Sequence, residues 1–105
     1  MTDLEITKLC AEAMDVLVEE EYWAGIGAKV LVTSEWDENY QCRCRYDPLH
    51  NDDQAMALVK KFTLQVWMPV NGVWEAIWPH HAKARSESIN RAIVECVAKM
   101  QAAKP

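Results

Sequence analysis

The chain has 105 residues, 50% of them hydrophobic, and carries 11 Lys and Arg against 16 Asp and Glu, for a formal net charge of -5. That length builds one domain over residues 1–105, and three glycines and four prolines exclude collagen-like and disordered classes. Residues 1–53 hold 13 acids and four bases, residues 54–105 three acids and seven bases, net -9 and +4; long nucleic acid, which needs many phosphates neutralised by clustered cations, is therefore not the expected partner.

The opening Met1-Thr2-Asp3-Leu4 is acidic, with no apolar run behind it. No secretory signal is predicted. No apolar stretch approaches the ~20 residues of a membrane span, so a soluble, intracellular protein with no membrane partner is expected. The four cysteines are then expected as reduced thiols. Thr2-Asp3-Leu4-Glu5 matches a capping box, in which hydroxyl and carboxylate satisfy the orphan amides of a helix start. Ile6, Leu9, Cys10, Ala13, Met14 and Leu17 follow at helical spacing, which predicts a helix over about residues 3–15.

From Val16 to Tyr46 the period shortens to two. Val16, Val18, Glu20 and Tyr22 alternate with their neighbours, Val30-Leu31-Val32 is a β-branched run, and Gly25 and Gly27 mark a bend. Two or three strands are predicted, with Trp36-Asp37-Glu38-Asn39 as a turn. In the last strand Tyr40, Cys42, Cys44 and Tyr46 share one face, and Gln41, Arg43 and Arg45 the other. Asp47-Pro48 ends it, because proline cannot join a ladder. Asn51 or Asp52 then caps a helix over about 52–62, with Ala55, Met56, Leu58, Val59 and Phe62 inward.

Val70-Asn71-Gly72-Val73 is a strong hairpin signal, with both turn residues expected at positive φ. A two-residue loop pairs Val70 with Val73, Met68 with Glu75, Trp67 with Ala76 and Val66 with Ile77, and puts Trp67, Trp74 and Trp78 on one face. Pro79-His80-His81 closes the hairpin. Ser86 is expected to cap a last helix whose Ile89, Ala92, Ile93, Cys96, Val97 and Met100 form one stripe. The predicted class is α+β, a mostly antiparallel sheet packed between helices in the order α-β-β-β-α-β-β-α, a single-domain sandwich.

Familiar catalytic patterns are missing. Cys42-x-Cys44 has no second zinc pair, and the Asp47, His50, Asp52, Asp53 loop follows no known ion-binding spacing. Adjacent His80 and His81 diverge in extended chain. Gly25-x-Gly27 lacks the third glycine of a phosphate loop, and no nucleophile stands in a recognisable motif. A non-enzyme is expected, with no metal and no cofactor.

The positive signal is aromatic, five tryptophans in 105 residues. Trp67, Trp74 and Trp78 either lie under a helix or form an interface or ligand wall. Trp36, near Arg43 and Arg45, adds the parts of a site that stacks a base and pairs with phosphate.

Three segments together carry a resemblance. Asp3-Leu4-Glu5-Ile6-Thr7-Lys8-Leu9-Cys10-Ala11-Glu12-Ala13 opens the chain, Tyr46-Asp47-Pro48-Leu49-His50-Asn51-Asp52 runs into Gln54–Phe62, and Asn90-Arg91-Ala92-Ile93-Val94-Glu95-Cys96-Val97-Ala98-Lys99-Met100 closes it. They resemble the small phage and prophage proteins grouped as the phage ABA sandwich domain, over roughly 40% of the chain by simple count. The resemblance implies a sheet between helical layers and a phage accessory protein in the cytoplasm of an infected bacterial host; it supplies no catalytic residues. In that setting the expected activity is anti-defence, by sequestration of a small nucleotide immune signal. Trp36, Arg43, Arg45, Trp67, Trp74, Trp78, His80 and Arg85 are the expected ligand-binding residues, and a homo-oligomer is expected. The alternatives are an adaptor or inhibitor of another protein docking through the aromatic face, and a small-nucleotide hydrolase using His50 or His80 as base.

Overall fold

The computed structural model describes residues 1–37, 42–79 and 81–104, with backbone alone for 34–37, 42 and 43. Helix α1 (Asp3–Ala13) starts where predicted, with the Thr2 hydroxyl accepting the Glu5 amide at 3.1 Å. It stops because Asp15 turns left-handed (φ 57°), which lets the Val16 amide reach back to the Ala11 carbonyl at 2.9 Å and the Asp15 amide to Glu12 at 3.1 Å. These are the two bonds of a Schellman end. Strands β1 (Val18–Trp23), β2 (Ala28–Asp37) and β3 (Cys42–Arg45) then form an antiparallel meander in the order β1-β2-β3.

Val30, Leu31 and Val32 are all buried, so both faces of the central strand are covered. Leu31 belongs to the main core. Val30 and Val32 face the other way, on the side that the register gives to Glu19, Glu21 and Arg45. Trp36 lies within β2, opposite Arg43, and not in the expected turn. The strand runs longer than its apolar pattern because a register shift between Val32 and Trp36 keeps it paired with β3. Tyr40 and Gln41, placed in the last strand from the sequence, lie outside the described residues, as do Glu38 and Asn39.

Helix α2 (Asp52–Phe62) has the predicted limits, and of its two candidate caps Asn51 is the one used, accepting the Gln54 amide at 3.0 Å. Asp52 is left to accept from the Asn90 side chain at 2.9 Å. Strands β4 (Gln65–Val70), β5 (Val73–Trp78) and β6 (Ala82–Ser86) make a second antiparallel meander. Helix α3 (Ile89–Ala102) closes the chain, capped by Ser88 and not by the expected Ser86, whose hydroxyl instead accepts the Ser88 amide at 3.2 Å.

The α+β class and its order of elements stand as expected, with the strands divided between two sheets and β6 added to the second. That strand reads Ala82-Lys83-Ala84-Arg85-Ser86. Its period of two is clear, but alanine has low strand propensity, and no β-branched run announces it.

Helix α3 organises the core. It packs against β5 and β6, against α2, and against α1, which in turn touches β2. Ala92, Ile93, Val94, Cys96, Val97 and Ala98 on α3 are all but fully buried. They meet the small side chains Ala76 and Ala84 on the sheet and Cys10 and Leu58 on the other helices in one cluster. The Cys10 thiol donates to the Val94 carbonyl at 3.4 Å. Burial and the nearby Cys96 push its pKa from an ordinary 9.0 up to about 12. Among the described residues no helix is long and apolar enough to cross a membrane.

Candidate functional site

The hairpin register decides which tryptophans can act together. Val70 pairs with Val73 as predicted, but the ladder shifts between Val70 and Trp67, so that Trp67 opposes Glu75 and Val66 opposes Ala76. Two local causes coincide. Pro69 has no amide to give the ladder, and of the two turn residues only Gly72 (φ 82°) takes a positive φ, a backbone that matches the strand twist less well than the expected double positive turn. The one-residue slip turns Trp67 to the opposite face from Trp74 and Trp78. The expected single tryptophan face is therefore corrected to two.

On the side covered by α3, Trp74 and Trp78 are half-buried and pack against the core. On the open side, Trp67 opposes Glu75, and Glu75 opposes Arg85 on β6. Glu75 is only 3% exposed although it faces outward. The Trp67 indole N–H donates to one of its oxygens at 2.9 Å, and the Arg85 guanidinium donates from Nε to the other. The Arg85 hydrogen bond, helped by the one from Trp67, holds the carboxyl below its usual range against the opposing effect of burial.

The other expected site residues sit elsewhere. Trp36, Arg43 and Arg45 belong to the first sheet. Arg45 lies 5.9 Å over the Trp23 ring and 3.4 Å from the Asp47 carboxylate. The same carboxylate bonds His50 Nδ1 at 2.8 Å. This orients the imidazole considered above as a hydrolytic base, beside a cavity of about 170 Å³ that also admits Asp3 and Lys29. His80 lies outside the described residues. Among the described residues no group of three or more His, Cys, Asp and Glu is placed to hold a metal ion.

What the structure does bring together is a groove of about 500 Å³ where the β5–β6 turn meets the end of α3. One wall is Trp78, fixed by the edge of Phe62 (centroids 6.4 Å apart) and stacked face-on with His81 (4.0 Å, planes 30° apart). The turn that delivers His81 is closed by its amide donating to the Trp78 carbonyl at 2.9 Å. The remaining lining is Ala82, Met100 and Ala103, with three lysines, Lys83, Lys99 and Lys104, and no carboxylate. Lys99 is positioned, because its ammonium donates to the Lys83 carbonyl at 3.1 Å. That bond also occupies a backbone acceptor of β6, an edge strand, which discourages pairing there with another chain.

Of these residues, the sequence reading had singled out Trp78 alone as a site residue. Lys83 was hidden in a strand that was not expected. Lys99 and Lys104 read as the ordinary basic end of a helix. An aromatic platform rimmed by ammonium groups can stack a planar ring and neutralise an attached anion. Comparison with known protein families, with curated proteins and with solved structures finds no match to this chain.

Proposed function

We propose that the protein binds a small nucleotide and holds it unaltered, with the Trp78–His81 stack receiving the base and Lys83, Lys99 and Lys104 the phosphate. The observation that carries this reading is the groove itself, an aromatic wall and three cations with no lining acid. Its surroundings agree with a binder. All of its lining residues come from the net-positive half of the chain, residues 54–105. Membership of the phage ABA sandwich group is part of the same proposal, and rests on the three segments quoted above. In that setting the protein acts in the cytoplasm of an infected host as an anti-defence sponge, by withdrawing a nucleotide signal.

A second reading, an adaptor that docks on another protein, is favoured by one observation. Trp67 (52% exposed), Met68 and Val70 present apolar surface along β4, one of the two edge strands of the second sheet.

Equilibrium dialysis against adenosine 5′-monophosphate, followed by heat denaturation and mass analysis of the released compound, separates the readings. Saturable binding with intact nucleotide recovered, and at least about tenfold weaker binding by Lys99→Glu, supports the sponge. A cleaved product makes the protein a hydrolase. No binding at all leaves the adaptor.

A further inference from the structure

The lysine-lined groove does not end at Lys83 and Lys99. Both residues also line an adjoining depression of about 360 Å³, whose other walls are Ala84 and Arg85. The two hollows thus share Lys83 and Lys99 at the edge of β6, where strand alternation turns Lys83 and Arg85 to the open face and Trp78 to the face covered by α3. Lys83 and Arg85 are two residues apart on β6, hence on one face and roughly 7 Å apart along the strand.

Arg85 is held for such a task. Its Nε is fixed to Glu75, and Glu75 is fixed in turn by the Trp67 indole. The guanidinium side chain nevertheless remains 57% exposed, which leaves its terminal nitrogens able to form a paired contact with an anion. A buried ion pair often adds little net stability over an apolar side chain of similar volume. Orienting an arginine is a use that explains it.

We infer that the ligand class is a nucleoside triphosphate, with its phosphate chain running from the groove past Lys83 and Lys99 to a terminal phosphate bound by Arg85. The inference rests on the nucleotide-binding reading above. In it Glu75 and Trp67 are positioning residues that never touch the ligand.

The test compares ATP with AMP by titration calorimetry, on the wild-type chain and on an Arg85→Ala variant made together with Glu75→Gln, so that no buried carboxylate is left unpaired. The wild type should bind ATP at least about tenfold more tightly than AMP, the scale of one charge-assisted contact. In the double variant that preference should shrink to within about threefold, through loss of ATP affinity, while AMP binding reports that the groove is still formed. Equal affinity of the wild type for AMP and ATP would overturn the inference and leave the nucleotide reading standing, as would a preference that survives removal of Arg85. If neither compound binds the wild type, both fall.

Discussion

Glu75 shows how one side chain can be read from sequence as unremarkable and turn out to organise a surface. In the expected register it opposed Met68, an acid on the wet side of a hairpin. In the structure it opposes Trp67 and Arg85 and is covered by both. Because its folded pKa is lowered, the stability it contributes is present above its ordinary value of 4.5 and is lost as pH falls through the folded value. Glu20 has the same sign, held down first by its hydrogen bond from Lys8. Thermal unfolding followed from pH 7 down to pH 3 should therefore show a falling midpoint, and Glu75→Gln should make that fall shallower. An acid limb of unchanged slope would mean that Glu75 is not held as described. The site residues follow the same lesson. Trp78 was legible because indole density is visible in composition, whereas Lys83 and Lys99 acquire meaning only from the strand and the helix that bring them within reach of one another.

The helices show where sequence signals are sufficient. Thr2 and Asn51 cap as their chemistry requires, and α2 has its predicted limits, because a side-chain acceptor and an apolar stripe are local features. The strands depended on non-local facts. The slip in β4 needed both Pro69 and the conformation of Gly72, and β6 needed α3 to cover its alanines. One local feature was not anticipated. Helix α2 ends with Thr63 left-handed (φ 53°), its amide bonded to the Val59 carbonyl. A β-branched residue is strained there, at a cost of about 1–2 kcal/mol, and glycine is not. Glycine is also freer in the unfolded chain, which offsets about 0.5–1 kcal/mol of the gain. Thr63→Gly should accordingly stabilise the fold by up to about 1 kcal/mol in urea denaturation, and a loss of stability would show that the threonine side chain does something there beyond ending the helix.

At the scale of the whole molecule, the two sheets separate what the sequence had grouped. Trp36, Arg43 and Arg45 lie in the acidic half of the chain, and Arg45 is matched by Asp47. Lys83, Lys99 and Lys104 lie together where α3 runs out against β6. Charge asymmetry between the halves was legible from composition, but its focus was not, because Lys83, Lys99 and Lys104 are spread over 22 positions of sequence and converge only when α3 folds back across the second sheet. The account therefore places nucleotide recognition at that junction and not at the strand arginines. A titration with AMP followed by ¹⁵N-correlated NMR of the labelled protein tests this most directly. The Trp78 indole signal, the amides of 81–85 and those of the last turns of α3 should shift together as one saturable set. Shifts confined to 36–47, or no shifts at saturating AMP, would contradict it.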